Sequence, residues 1–429
     1  MDRKKNSKHR SNRKNSGNKS ITISKKSYLT LQEITNRFST VRQKLFLPRF
    51  LRRMKKLKIG GLSGGNRIQL LNDGDDCFDE FITSMKKARL SINMETYIFK
   101  SDEVGWKVAE ILAGKALAGI EVNLIYDSWG CLGTSPAIFS YMRDAGVELI
   151  AYRPFLTLKR IGDPFFRERD HRKILVIDGR TAFIGGVNIG NEYAGKNFSG
   201  QGWRDTHLKI EGPSVKDVQF FFIENWYRSG GEILEQKNHF PNIRSVGKKI
   251  IMIMGSKGKK NLKPIKESYL SAIRYAQHSI YITNAYFIPT AKVLRALLAA
   301  AKRGVDVRLL LPGKTDVPFV KFGSRYLYKK YLKQGIRVFE YGKSVLHAKT
   351  AVIDGCWATV GSSNMDALSF RRNLEINAVI LDQDACAEME KQFFYDMKYS
   401  SEFRLEDVAR RSLPGFFVEW FFYRFRNIL

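Results

Sequence analysis

One phrase occurs twice in this chain. His171-Arg172-Lys173, Asp178 and Gly185-Gly186-Val187-Asn188 fit the pattern H-x-K-x4-D-x6-G-x2-N. So do His347-Ala348-Lys349, Asp354 and Gly361-Ser362-Ser363-Asn364, 176 positions later. Two copies in one register imply a duplicated unit. This constrains the architecture before any element is assigned: what one half folds into, the other folds into as well.

The flanks repeat too. Ala88-x3-Ile92 matches Ala276-x3-Ile280, and Ala118-Gly119-Ile120-Glu121-Val122 matches Arg303-Gly304-Val305-Asp306-Val307. In the first unit the hydrophobic spacing predicts a strand over 67–71, a turn at Asp73-Gly74, a helix over 77–88 and a strand over 90–99. A helix over 104–118, ended by Gly119, and a strand over 122–126 follow. The second unit repeats the order: helix 265–276, strand 279–288, helix 291–301 ended near Gly304, strand 305–311. Strand and helix alternate, so the fold class is α/β with a largely buried sheet. The expected division is a basic arm over 1–60, units over 61–240 and 241–400 with the joint near 237–248, and a tail over 401–429.

On a strand, residues i and i+2 share a face, so His171 points with Lys173 and His347 with Lys349. Each motif continues through an apolar strand (174–177, 350–353) to an Asp-Gly turn and a returning strand (182–184, 358–360), a hairpin signal. A tight return sets Gly186 or Asn188 opposite His171, and Ser362 or Asn364 opposite His347. Asp178 and Asp354 fall on the opposite face from the lysines, so their expected task is to hold the turn.

These side chains suit a phosphodiester. Lys173, Lys349, Asn188 and Asn364 offer donors to its non-bridging oxygens. One imidazole can attack phosphorus, and a second can protonate the leaving alkoxide. One unit supplies one imidazole; two facing units supply both. Each histidine also needs an acceptor on its other ring nitrogen. Asp205 and Glu375 follow His171 and His347 by 34 and 28 positions, and each is expected to orient the histidine it follows. The candidate catalytic set is His171, Lys173, Asp178, His347, Lys349 and Asp354, supported by Asn188, Asn364, Ser362, Asp205 and Glu375. Two lysines supply the charge, so neither metal nor cofactor is expected. His9, His207, His239 and His278 lack such a context and read as surface or core residues.

Charge narrows the partner. The net charge is +31, and residues 1–60 hold 19 Lys and Arg against Asp2 and Glu33. Such an excess attracts a polyanion, either nucleic acid or an anionic lipid surface. Residues 1–30 read as a disordered basic arm. From 34 to 57 the stretch is basic and amphipathic, broken at Pro48, and suits either an interfacial helix or one packed on the domain. No apolar run is long enough to span a bilayer, and no apolar core follows the basic N-terminus as it would in a secretory signal. The scattered Cys77, Cys131, Cys356 and Cys386 are expected to be reduced thiols in a cytoplasmic setting. The tail from 413 to 429 is rich in Phe, Trp and Tyr with Arg among them; membrane or partner contact is favoured over a docked last helix.

The paired motifs resemble those of the phospholipase D superfamily at every defining position, over about residues 66–400. Phe183-Ile184-Gly185-Gly186, Ala285-Tyr286-Phe287, Trp357-Ala358-Thr359-Val360-Gly361-Ser362-Ser363-Asn364 and Asn373-Leu374-Glu375 are similar to the bacterial cardiolipin synthases, especially the short form without N-terminal transmembrane helices. The resemblance implies a duplicated phospholipase D fold: two α-β-α sandwich domains related by a pseudo-twofold, with the site at their interface. It implies a covalent phosphohistidine, with His171 as nucleophile and His347 as acid and base. Gly186 departs from the serine many members carry and removes a hydroxyl donor, leaving the backbone N–H. The implied reaction is transphosphatidylation, two phosphatidylglycerols giving cardiolipin and glycerol, with phosphatidylethanolamine as another donor. It implies a peripheral enzyme on the cytoplasmic face of the bacterial membrane. Aromatics within 284–288 and 319–331 are expected to line the lipid site. A hydrolytic phospholipase D is the alternative; a nuclease ranks lower because nucleic acid leaves the aromatic tail unexplained.

Overall fold

The computed structural model describes residues 34–38, 40–57, 59, 61–154, 168–256 and 263–426. The basic arm expected over 1–30 lies outside them. Among the described residues the first series of strands is β1 (Ser63–Leu71), β2 (Ser91–Thr96), β3 (Glu121–Asp127), β4 (Glu148–Tyr152), β5 (Ile174–Ile177), β6 (Thr181–Gly185) and β7 (His207–Glu211). The second is β8 (Lys249–Gly255), β9 (Ser279–Asn284), β10 (Asp306–Lys314), β11 (Arg337–Val345), β12 (Lys349–Ile353), β13 (Trp357–Gly361), β14 (Ile376–Ile380) and β15 (Ser400–Phe403). Their order is β15-β11-β10-β9-β12-β13-β14-β8-β1-β7-β6-β5-β2-β3-β4.

The duplication is visible in that order. β1 and β8 are antiparallel neighbours. Outward from them run β7-β6-β5-β2-β3-β4 on one side and β14-β13-β12-β9-β10-β11 on the other. Pairing sense repeats as well: β2, β3 and β4 are parallel, as are β9, β10 and β11, while the motif hairpins β5–β6 and β12–β13 are antiparallel. Helices cover the sheet on its outer faces. Between the inner faces, Ile174, Val176 and Ile184 meet Val352, Val360 and Ile376, with Phe222 and Met389 from the helices Val215–Arg228 and Gln383–Met397. Burial of these aliphatic faces, at about 25 cal/mol per Å² of apolar area, clamps the halves together.

Local chemistry sets the boundaries. Asp73-Gly74 is a helix start rather than a turn: the Asp73 carboxylate caps the N–H of Asp76, and Gly74 is the first residue of the helix Gly74–Lys87. Gly119 and Gly304 have φ of +80° and +85° and end their helices as expected.

The motif turns hold the main difference in register. Asp178 and Gly179 have φ of 52° and 60°, Asp354 and Gly355 of 53° and 59°. Ile177 pairs with Thr181 and Ile353 with Trp357, so each turn contains three residues. The β5–β6 ladder ends at Ile174 with Ile184 and the β12–β13 ladder at Thr350 with Val360, so neither histidine is paired across its hairpin as expected. The aspartates point away from the hairpin mouth. Asp178 accepts the backbone N–H groups of Arg89, Leu90 and Ser91 at 2.8–3.2 Å. Asp354 does the same for Gln277, His278 and Ser279 at 2.8–3.0 Å. Each carboxylate ties its hairpin to the turn between a helix and the adjoining central strand.

The stretch after the basic arm is not broken at Pro48. A continuous helix, Val41–Lys56, runs through it. Phe46, Leu47, Phe50, Leu51 and Met54 are buried in the second unit's core, with the Phe50 ring 6.2 Å from that of Trp357. Of its two readings, packing on the domain is the one the structure shows. No described helix is long and apolar enough to cross a membrane. The four cysteines are free and buried.

Candidate active site

Two short crossings between the halves build the site. The N–H of His171 donates to the carbonyl of Leu374 at 3.0 Å, and that of His347 to the carbonyl of Arg204 at 2.8 Å. Asp170 and Leu374 form an isolated parallel bridge, as do Arg204 and Leu346. The segment that carries each carboxylate therefore lies against the other unit's histidine. His171 Nδ1 is 3.0 Å from Glu375 Oε2, and His347 Nδ1 is 2.6 Å from Asp205 Oδ2. The expected pairing within each half is thus corrected to a crossed one. Spacing along the chain could not show this, because the exchange is made by contacts between units.

The remaining candidates divide into those at the cavity and those behind it. A cavity of about 540 Å³ is lined by His171, His347, Asn188 and Asn364. Asn188 Oδ1 accepts the N–H of Ile98 at 3.2 Å, whereas Asn364 Oδ1 has no partner among the described residues. Lys173 and Lys349 sit behind the histidines, each donating to the carbonyl of its own histidine. Lys349 Nζ is also 2.9 Å from His347 Nδ1. Ser362 is not a donor beside His347. Its hydroxyl donates to Glu375 Oε2 at 2.5 Å and so braces the acceptor of His171. The N–H of Gly186 is not free either; it donates to the carbonyl of Thr206 at 3.2 Å.

Gly186 is explained by the same geometry. A Cβ there would lie 2.1 Å from Asp205 Oδ1. The shorter carboxylate comes close to the backbone and needs the space. Glu375, one methylene longer, stands back and leaves room for Ser362. A side chain at position 186 would displace the Asp205 carboxylate from the place where it holds His347.

The electrostatics of the two pairs differ. Burial pushes the pKa of Glu375 up to about 8, only partly countered by Lys173 and the Ser362 hydroxyl. Burial works against Asp205 as well, yet Lys349, His347 and the N–H of Thr206 hold it below its ordinary value. Burial, then the lysines Lys173 and Lys349, drive His171 well below the usual imidazole range. His347 is lowered by burial and Lys349, with Asp205 opposing. Burial also lowers Lys173 to about 7 and Lys349 to about 8. One imidazole is thus disposed to be neutral, and the other sits against a carboxylate disposed to be charged.

Sequence patterns alone missed several cavity residues. Tyr97 and Tyr193 face the histidines edge-on, at 5.0 Å from His171 and 5.4 Å from His347. Asp316 accepts the Tyr286 hydroxyl at 2.6 Å, and Asp366 lines the wall with its pKa raised by burial to about 7. Of the expected aromatic linings, Tyr286 and Phe319 reach the cavity, while Phe287, Tyr328 and Tyr331 are core. Among the described residues no cluster of His, Cys, Asp and Glu could hold a metal ion.

Comparison with known proteins identifies the relatives of this chain. The family described as cardiolipin synthase, PLD-like domain, matches residues 81–199 and 269–397, one motif in each span. A cardiolipin synthase of Geobacillus kaustophilus is 35% identical over 356 residues, covering 82% of this chain and 70% of the relative. One from Listeria monocytogenes is 36% identical over 356 residues, covering 82% and 73%. The fold is also that of phosphatidylserine synthase from Haemophilus influenzae, with a TM-score of 0.68 at 15% identity over 89% of this chain and 100% of that one. The chain belongs to the cardiolipin synthase family of the phospholipase D superfamily and is a phosphatidyltransferase.

Proposed function

We propose that the chain makes cardiolipin from two molecules of phosphatidylglycerol through a phosphohistidine. The observation that supports this most is the pair of histidines on one cavity, each with Nδ1 held by a carboxylate. That leaves Nε2 of each ring for chemistry. His171, the more strongly depressed imidazole, attacks phosphorus as a neutral base. The bond from phosphorus to the glycerol oxygen breaks, and His347, whose protonated form Asp205 supports against burial and Lys349, gives that oxygen its proton. Glycerol leaves, and the phosphatidyl group stays on His171. His347, now neutral, takes the proton from a hydroxyl of a second phosphatidylglycerol. That oxygen attacks phosphorus, the phosphorus–nitrogen bond breaks, and cardiolipin is released. Lys173 and Lys349 would neutralise the phosphoryl oxygens after turning from the histidine carbonyls, with Asn188 and Asn364 beside them.

The polar wall suits an alcohol headgroup. Asp316, Asp366 and the hydroxyls of Tyr97, Tyr193 and Tyr286 offer acceptors and donors to glycerol hydroxyls. Phosphatidylethanolamine is a second possible donor. The enzyme works peripherally on the cytoplasmic face of the membrane, on an anionic surface that the basic chain favours.

Incubation with phosphatidylglycerol vesicles should yield cardiolipin and glycerol. Phosphatidic acid alone would mean hydrolysis and sink the synthase reading. Rapid quenching should find the phosphatidyl group on His171 and none on the protein in His171→Ala. An adduct on His347 in a His171→Ala protein would reverse the roles.

A further inference from the structure

We propose that the helix Leu413–Arg424, with the helix Pro318–Arg325 on which it lies, forms a ledge. This ledge inserts into an anionic phospholipid leaflet and holds the cavity mouth against it. The inference rests on the phospholipid substrate proposed above and names the surface that delivers it.

The C-terminal helix is apolar on both its inner and its outer face. Glu419, its one acidic side chain, is buried and paired with Arg411. The outward stripe is Leu413, Phe417, Trp420 and Phe421, at helical spacing and 76%, 61%, 43% and 50% exposed. A helix resting on a soluble protein buries its apolar face and shows the polar one. This one packs Phe422 and Tyr423 inward and still shows an aromatic stripe outward, and a contiguous aromatic surface marks an interaction site.

The surface leads to the catalytic cavity. The Phe422 ring lies 6.1 Å from both Phe319 and Phe322, themselves 40% and 37% exposed. Phe319 also lines the cavity that holds His171 and His347. The apolar ledge therefore begins at the rim of the active site. Acyl chains resting on it can stay in the leaflet while the phosphodiester reaches the histidines.

Charge selects the occupant. Beside the helix is a groove of about 680 Å³, lined by Lys329, Lys330, Lys333 and Arg411 with Tyr326 and Phe416. Aromatic side chains with cations beside them fit the headgroup boundary of an anionic leaflet. A second copy of this chain would bring the same lysines against themselves. At 12 residues, about 18 Å long, the helix suits a position along the interface rather than across it.

The test is a triple substitution, Phe417→Asp with Trp420→Asp and Phe421→Asp, in the full chain. Sedimentation with phosphatidylglycerol vesicles should show partition reduced 10-fold or more, with an equal loss of turnover on those vesicles. Turnover on monomeric, short-chain phosphatidylglycerol should stay within twofold of the unsubstituted protein. Trp420→Phe should bind normally but lack the part of the tryptophan emission that brominated phosphatidylglycerol quenches. Unchanged partition of the triple variant, or no quenching assignable to Trp420, overturns the ledge. So does a dimer that the triple substitution splits while vesicle binding persists. Vesicle binding is measured apart from product. A protein that binds through this helix yet makes no cardiolipin would refute the function and leave the ledge standing.

Discussion

A single methylene accounts for much of the asymmetry between the two half-sites. Asp205 lies against Gly186, where a Cβ would come within 2.1 Å, while Glu375 leaves space for Ser362. Gly186→Ser should therefore displace Asp205, cost about 1–3 kcal/mol by overpacking, and lower turnover through a loosened His347. Chemical denaturation and vesicle assays check both parts; a variant of full stability and rate would refute the displacement. The lysines supply a second prediction. The folded-state pKa of Lys173 is about 7, below the usual lysine value, so its charge is present below that pH and lost above it. In the free enzyme, phosphate anchoring should weaken as pH rises through about 7 to 8, giving kcat/KM an alkaline limb there. Lys173→Arg keeps its charge and should move the limb upward. The same shift has a stability counterpart. Between its folded and unfolded pKa values the unfolded chain binds more protons at this group, so its contribution to stability rises with pH in that window.

At the scale of elements, the repeating strand and helix order was legible because apolar periodicity and glycine stops are local signals. Gly119 and Gly304 end their helices where the residues say they should. The turn lengths were not legible. An Asp-Gly pair requires positive φ, but whether two or three residues close the loop depends on strand twist and on the ladder beyond it. The ladders stop short of both histidines, whose backbone N–H groups cross to Leu374 and Arg204 instead. Pro48 misled for another reason. A helix interior proline costs roughly 3 kcal/mol, which predicts a break, but the buried face of Phe46, Phe50 and Met54 outweighs it. Phe50→Ala should then destabilise the protein by about 3–5 kcal/mol, read as a shift in the denaturation midpoint. A change below 1 kcal/mol would mean that the helix contributes little to the second unit's core.

For the whole molecule, the duplication predicted two facing units but not who would complete whose site. His171, His347, Asp205 and Glu375 were all identifiable by residue type and position. Their partnership was not, since it depends on the Asp170–Leu374 and Arg204–Leu346 bridges between units. Asp316 and Asp366 were hidden because they stand outside the repeated motif. The crossed pairing has a kinetic signature. Asp205→Asn and Glu375→Gln should each lower turnover by roughly 10²-fold or more, as loss of an orienting carboxylate does. In double mutants Asp205→Asn should add little to His347→Ala, and Glu375→Gln little to His171→Ala, because each pair acts as a unit. Non-additivity along the chain, with Asp205→Asn adding little to His171→Ala but its full effect to His347→Ala, would contradict the structure.

That pairing also bears on how such a chain can evolve. Each half lacks a carboxylate for its own histidine, so one unit alone could complete such a site only by meeting a copy of itself. Joining both units in one chain makes the encounter permanent and relieves the halves of having to be identical. Gly186 against Ser362, and Arg172 against Ala348, are differences that a symmetric pair of identical chains could not have held. Selection acts on one indivisible site written in two places, and neither half can be discarded while the other keeps its trade.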